Sequence, residues 1–302
     1  MLTPLDRVIA RVQAVYGGWK RDTSPAQMRE EWDALFGRAA VDAAIEPDVF
    51  AGVAVSRVTA TGADPRRAFL YFHGGGYLVG SARSHADLIA RISAAADATG
   101  LCVDYRRAPE HAFPAPIDDA LAVCQELTRR GVDLGRVAFV GDSAGANLAL
   151  ATTLALRARG QPTPSALVLM SPWTDLQARG ESYRTRADAD PIHQRRMILA
   201  MAARYLGDAD PAQPLASPLN ADLSGLPPML IQVGDRETVL SDSIDLEAAA
   251  QRAGVDVRLQ VWDGMIHVFQ QFGEDLPEAR AAVADIGRFL KPRLGAIKEQ
   301  RP

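Results

Sequence analysis

Short apolar runs alternate with longer segments of helical periodicity along most of the chain. The apolar runs lie at 67–72, 101–105, 137–140, 166–170, 229–233 and 257–262. Apolar residues recur at helical spacing within 84–99, 117–130, 145–159, 242–253 and 277–290. Because the runs are rich in Val, Leu and Ile and do not alternate strictly with polar residues, they are typical of strands buried on both faces of a parallel sheet. The pattern therefore predicts an α/β fold with a doubly wound sheet and right-handed crossovers.

Two segments do not follow this alternation, and both predict a helical cap. Residues 1–50 have a helical pattern that includes a helix from Pro25, and residues 174–215 interrupt the sheet between two strands. Within the second segment a helix is predicted over 191–206, with Asp190 as its N-cap and Pro191 at its first position. The expected organisation is an N-terminal cap segment at 1–50 and a catalytic domain at 51–302, with a cap insertion at about 174–215.

Composition excludes several classes of protein. The 302 residues include 33 Lys and Arg against 37 Asp and Glu, for a formal net charge of −4, so sequence-independent nucleic-acid binding is not expected. No apolar stretch approaches the ~20 residues of a membrane span, and the N-terminus lacks the uninterrupted apolar region of a secretion signal. Cys102 and Cys124 lie in apolar or helical patterns that predict buried free thiols. We expect a cytoplasmic protein without metal or cofactor.

The sequence Gly-Asp-Ser-Ala-Gly at 141–145 stands between an apolar run and a helical segment. This strand–turn–helix context is what a nucleophile elbow requires, because the sharp turn exposes its serine and admits only small neighbours. Ser143 is therefore the candidate nucleophile. An ordinary glycine-rich turn between a strand and a helix is the alternative interpretation.

The sequence His-Gly-Gly-Gly-Tyr at 73–77 follows another apolar run. Three glycines let the backbone approach a bound group closely and direct its N–H groups toward it. A serine that attacks an ester needs such donors where the oxyanion forms. The N–H groups of Gly75, Gly76 and Ala144 are the candidates. A phosphate-binding P-loop is excluded because no Gly-Lys-Ser/Thr sequence follows, and the glycine spacing does not fit a dinucleotide site.

A serine nucleophile also needs a base and an acid. In hydrolases with this elbow the chain order is Ser, acid, His, which selects His267 from the five histidines. The acid must follow the strand predicted at 229–233. Asp235 and Glu237 both fit, and spacing alone does not choose between them, whereas Asp242 lies too far into the next helix.

Four ordered motifs together indicate a family. HGGGY, DYRRAPEHAFPAPIDDA, GDSAGANLAL and GMIHVF resemble the hormone-sensitive-lipase-like family of α/β-hydrolases, the bacterial family IV esterases, over about residues 50–295. The acid loop at 234–242 is similar to that of a branch containing esterases and lactone hydrolases. Matching Leu240 and Asp242 to that loop places the family's acid on Glu237. The loop departs from the branch at Asp235 and Arg236, so Asp235 stays the alternative acid.

The resemblance implies a mainly parallel eight-stranded sheet with a helical cap and a serine carboxylesterase that acts through an acyl-enzyme on short- to medium-chain esters. A lactone hydrolase with the same triad, an amidase and a non-catalytic small-molecule-binding relative are the alternatives. It also implies that many relatives form homodimers, for which the apolar run at 257–262 is either the interface or a covered edge. Five side chains are candidates for lining the substrate pocket: Tyr77, Trp173, Tyr183, Met201 and Tyr205.

Overall fold

A computed structural model describes residues 2–20, 22–37 and 41–297. Its strands in these ranges are β1 (Ala43–Phe50), β2 (Val53–Ala60), β3 (Ala68–Phe72), β4 (Thr99–Val103), β5 (Ala138–Asp142), β6 (Leu167–Met170), β7 (Met229–Gly234) and β8 (Val257–Trp262). They form one sheet in the order β1-β2-β4-β3-β5-β6-β7-β8. Strands β4, β3 and β5 to β8 run parallel to one another. Strand β2 pairs antiparallel with both β1 and β4. The predicted fold class, a mainly parallel eight-stranded sheet, is confirmed.

The helices of the described ranges are α1 (Pro4–Gly18), α2 (Pro25–Phe36), α3 (Ala82–Ala96), α4 (Ala115–Arg129), α5 (Ala144–Ala158), α6 (Ser182–Thr185), α7 (Arg195–Leu206), α8 (Leu240–Arg252) and α9 (Pro277–Leu290). Helices α3 and α9 pack on one face of the sheet, and α4, α5 and α8 pack on the other. Every residue of the central strands β3 to β7 is buried because helices cover both faces. None of these helices is long and apolar enough to cross a membrane.

The N-terminal segment differs from its prediction. Residues Ala43–Phe50, expected in the cap, form edge strand β1, which pairs with β2. Most side chains of β1 are exposed, including those of Ile45 and Val49, so the strand lacks the continuous apolar run that marks a buried strand. The helical N-terminal part is therefore α1 and α2. Of the predicted segments, residues 1, 21, 38–40 and 298–302 lie outside the described residues.

Helix α1 contacts the loop that carries His267. Val8 and Val12 of α1 share an apolar cluster with Ile266, Phe269 and Phe272. These contacts fix the N-terminal helix over the carboxyl edge of the sheet, where open α/β sheets bind ligands.

Helix α7 of the second cap segment begins at Arg195, with Gln194 as its N-cap, and not at Pro191 as predicted. Asp190 does not cap it. Its Oδ1 accepts hydrogen bonds from Ile192 N and His193 N, while its Oδ2 accepts one from Thr238 N over 2.8 Å. The carboxylate closes a turn and fastens the cap to the loop after β7.

Candidate active site

Ser143 occupies the turn between β5 and α5 in a strained conformation, with φ of 52° and ψ of −118°. Few non-glycine residues adopt positive φ, and such residues are concentrated at functional sites. The turn directs the serine toward the cleft between the sheet and the cap, where it is part of the lining.

The glycines beside the serine are required by close backbone packing. A Cβ atom on Gly145 would lie 1.9 Å from the carbonyl oxygen of Phe72, and one on Gly141 would lie 2.4 Å from the carbonyl oxygen of Gly145. Both distances are far below van der Waals contact. The turn therefore needs glycine at both positions, as the elbow pattern predicts.

His267 lies between the serine and a carboxylate. Its Nε2 is 2.9 Å from Ser143 Oγ, and its Nδ1 is 2.7 Å from Glu237 Oε2. A neutral imidazole with its proton on Nδ1 would donate to Glu237 and accept from Ser143, which is the arrangement that a serine nucleophile uses. Three groups from the ends of β5, β7 and β8 thus meet at one edge of the sheet.

The structure separates the two candidate acids. Glu237 is fully buried and contacts His267, whereas Asp235 Oδ1 accepts a hydrogen bond from Gly264 N over 2.8 Å. Asp235 therefore shapes the loop before His267 and makes no hydrogen bond to the imidazole. The alternative based on Asp235 lacks the contact that its role requires.

Sequence reasoning missed Ser171, the residue after β6. Its Oγ donates to Glu237 Oε1 over 2.8 Å and accepts from Val268 N over 3.0 Å. Gly234 N also donates to Glu237 Oε1, over 2.5 Å. The sequence offered one signal for Ser171: it directly follows a buried strand, at the sheet edge that carries Ser143.

The pKa of His267 reflects two opposing influences. Burial alone would lower it, but the adjacent Glu237 carboxylate, with Asp190 and Asp142 farther away, raises it above the ordinary value. The negative charge beside Nδ1 therefore increases the proton affinity of this histidine.

The glycine loop lies next to the serine, and Gly75 and Gly76 line the same cleft. Both have positive φ, at 109° and 62°, which glycine adopts without strain. In the described part of the chain, the N–H groups of Gly75, Gly76 and Ala144 donate to no other group. These donors are available to a bound oxygen, and the one on Ala144 lies at the N-terminus of α5.

Asp142, the residue before Ser143, fastens the glycine loop to the elbow. Its Oδ1 accepts hydrogen bonds from Gly74 N over 3.0 Å and from the Tyr71 hydroxyl over 2.7 Å. His85 Nε2 lies 3.4 Å away, an ion-pair distance. Burial alone would raise the pKa of Asp142, but His85 and the Tyr71 hydroxyl outweigh burial and lower this pKa. Burial alone would lower the pKa of His85, but the Asp142 carboxylate outweighs burial and raises this pKa. His85 is fully buried.

The cleft beside Ser143 encloses about 540 Å³, part of it open to solvent. Two of the five predicted pocket residues, Trp173 and Met201, line it. Tyr77, Tyr183 and Tyr205 are buried elsewhere, and the rings of Tyr77 and Tyr205 stack with centroids 3.7 Å apart. These three side chains do not line the cleft, because an aromatic side chain near a motif packs as readily into the core as against a ligand.

His193 of the cap is a further cleft residue that sequence reasoning did not select. Its ring meets the His267 ring edge to face, with centroids 4.4 Å apart, and Tyr16 Oη lies 3.5 Å from its Nε2. Burial, assisted by His267, lowers the pKa of His193 to about 3.

Among the described residues no cluster of His, Cys, Asp and Glu side chains could hold a metal ion. Cys102 and Cys124 are both buried and free, as their apolar and helical contexts predicted.

Known proteins with similar sequences and structures identify the family. A family profile described as an alpha/beta hydrolase fold matches residues 69–271. An acetyl-hydrolase of Streptomyces hygroscopicus is 45% identical over 229 residues, which cover 76% of this chain and 77% of that protein. An esterase of Acinetobacter venetianus is 38% identical over 246 residues, which cover 81% of each.

The solved structures agree. The crystal structure of an esterase from the bacterial hormone-sensitive lipase family has a TM-score of 0.93 and 43% identity, and the match covers 98% of this chain and 100% of that chain. The crystal structure of EstE5 soaked with p-nitrophenyl butyrate has a TM-score of 0.88 and 39% identity, covering 95% and 98%. The chain therefore belongs to the hormone-sensitive-lipase-like family of α/β hydrolases, as its four motifs predicted.

Proposed function

We propose that this chain, a carboxylic ester hydrolase by its family, is a serine carboxylesterase that cleaves short- to medium-chain esters through an acyl-enzyme. The observation that carries the proposal is the position of His267, within hydrogen-bond distance of both Ser143 Oγ and Glu237. The strained turn at Ser143 and the free N–H groups of the glycine loop support it.

In the first half-reaction Ser143 Oγ attacks the ester carbonyl carbon while its proton passes to His267 Nε2. The carbonyl oxygen becomes an oxyanion, which the N–H groups of Gly75, Gly76 and Ala144 stabilise. The carbon–oxygen bond to the alcohol then breaks, and His267 gives its proton to the departing oxygen. Glu237 holds the imidazole in the required tautomer and stabilises its charged form.

In the second half-reaction water replaces the alcohol. His267 accepts a proton from the water as its oxygen attacks the acyl carbon, and the same donors stabilise the second oxyanion. Collapse of this intermediate releases the carboxylic acid, and the proton returns to Ser143. The apolar side chains of the cleft, among them Ile198, Met201 and Phe272, suit an uncharged acyl ester.

The test compares the wild-type chain with Ser143→Ala on p-nitrophenyl butyrate. We expect kcat to fall by more than about 10⁴-fold, because the nucleophile is lost while the cleft is kept. A fluorophosphonate probe should label the wild-type chain at Ser143 and leave the variant unlabelled. Turnover by the variant near the wild-type rate would refute the nucleophile, and an unlabelled, inactive wild-type chain would favour the non-catalytic binding alternative.

A further inference from the structure

The proposed mechanism gives the cleft two chemically distinct sides. His267 must protonate the departing alcohol oxygen, so the alcohol half of the ester has to lie toward His267. Val268, Gln271 and His193 line the cleft on that side. Tyr16, Gly75 and Met201 also line a second cavity, whose largely apolar lining suits an acyl chain.

His193, whose ring contacts His267, has a polar atom without a hydrogen-bond partner. Only 5% of the residue is exposed, and its Nδ1 makes no hydrogen bond with any residue in the described ranges. Because burial keeps the imidazole neutral at pH 7, it has one N–H donor and one acceptor nitrogen. Either tautomer therefore leaves Nδ1 able to bind a polar group of a substrate.

Two neighbouring side chains carry the same feature. Gln271 Nε2 and Trp32 Nε1 are buried, and neither makes a hydrogen bond to another described residue. Both residues line the same cleft as His193. The ring of Tyr16 joins two of them, because it contacts both Trp32 and His193, with centroids 5.5 Å and 5.8 Å apart. Phe36 packs against both Trp32 and Phe272, the residue after Gln271. Three buried polar atoms without a partner, all in residues that line one cleft, indicate recognition of a polar group.

We infer that this wall, formed by His193, Gln271 and Trp32, binds a hydroxyl group on the alcohol half of the substrate. A hydroxyl group can donate to or accept from His193 Nδ1, and it can accept from Gln271 Nε2 and Trp32 Nε1. The substrate class is thus an ester of a hydroxyl-bearing alcohol, such as a diol or polyol, and not an ester of a plain alkyl alcohol. This inference rests on the proposed function, which places the alcohol beside His267.

The experiment uses two esters that differ in one group, 4-hydroxybutyl acetate and pentyl acetate. The kcat/KM of each is measured by titration of released acid, and their ratio reports recognition of the hydroxyl group. We expect His193→Leu to lower the hydroxybutyl-to-pentyl ratio by about fivefold, the value of one hydrogen bond. His193→Asn should recover much of the ratio, because its amide nitrogen reaches the position of Nδ1. His111→Leu, at an exposed histidine, is the matched control and should keep the wild-type ratio.

Hydrolysis of pentyl acetate also shows whether each variant is folded and active. A loss of activity that affects both esters equally therefore leaves the ratio of their kcat/KM values unchanged. If His193→Leu does not fold, Gln271→Leu should lower the same ratio. Equal changes in kcat/KM for both esters would overturn the inference and leave the proposed esterase function intact. Failure of the wild-type chain to hydrolyse either ester would instead contradict the proposed function.

Discussion

The hydroxyl of Ser171 donates a hydrogen bond of 2.8 Å to Glu237 Oε1, which joins the ends of neighbouring strands β6 and β7 beneath His267. Ser171 Oγ also accepts a hydrogen bond from the N–H of Val268, the residue after His267. One side chain thus fixes both the carboxylate and the backbone beside the imidazole. Ser171 does not touch the substrate position, so we regard it as a positioning residue.

Replacement of Ser171 by alanine should reduce kcat on p-nitrophenyl butyrate by about tenfold with little change in KM. The expected loss corresponds to one charge-assisted hydrogen bond in the transition state. Ser165→Ala, the same change before β6, is the control and should retain wild-type kcat. An unchanged kcat in Ser171→Ala would show that Gly234 N alone holds Glu237.

The two candidate acids should differ sharply when they are removed. Glu237→Ala should lower kcat by about 10³–10⁴-fold, because His267 loses the carboxylate that orients it. Asp235→Ala should cost far less, since Asp235 binds only the backbone of Gly264. Steady-state kinetics of both variants decide the assignment, and a larger loss in Asp235→Ala would reverse it.

Activity should decrease on acidification because protonated His267 cannot accept the Ser143 proton. The Glu237 carboxylate raises the pKa of His267, so the decrease in kcat/KM should be centred above pH 6.5, the ordinary value. In Glu237→Gln the residual activity should decrease at a lower pH, because burial then dominates and lowers the pKa. A profile that is flat between pH 5 and 8 would argue against a histidine base.

Gly145→Ala should abolish most activity and destabilise the fold. The new Cβ would lie 1.9 Å from Phe72 O, so the backbone of β3 or α5 has to move, at a cost of at least about 1–3 kcal/mol. Gly17→Ala is the control, since a Cβ there meets nothing within 4 Å and alanine favours the helix. The midpoint of thermal unfolding and kcat should both be lower in Gly145→Ala than in Gly17→Ala. Wild-type values of both in Gly145→Ala would contradict the close packing at the elbow.

Asp242→Asn should stabilise the protein at alkaline pH. Asp242 Oδ2 accepts hydrogen bonds from Thr174 N and Asp175 N, and burial raises its pKa to about 8. The pKa of Asp242 is higher in the folded chain than in the unfolded chain. The neutral acid therefore contributes its full stabilisation below pH 3.8, and this stabilisation is lost as the pH rises through 8. Asparagine keeps the acceptor without a titrating proton.

The free energy of unfolding measured by denaturant titration should therefore decrease less between pH 4 and 8 in Asp242→Asn than in the wild-type chain. At pH 8 the variant should exceed the wild-type value by at least about 1 kcal/mol. Asp208→Asn changes an exposed carboxylate and serves as the control. Parallel pH dependence of Asp242→Asn and the wild-type chain would contradict this prediction.

Features that depend on contiguous residues could be predicted from the sequence. The elbow at Ser143 and the glycine loop are local, since a sharp turn or a positive φ restricts the residues that occupy it. The buried parallel strands were evident for the same reason, because burial on both faces leaves an unbroken apolar run. Edge strand β1 is exposed along most of its length, so its sequence has no unbroken apolar run.

Contacts between distant side chains could not be predicted in this way, because they depend on how the chain folds in three dimensions. Asp235 and Glu237 are two residues apart and chemically alike, and the direction of the loop after β7 brings only Glu237 to His267. His193 reaches the same histidine because the cap folds over the sheet edge. Contacts of this kind depend on packing between segments far apart in the chain, so the local pattern of a single sequence does not contain them.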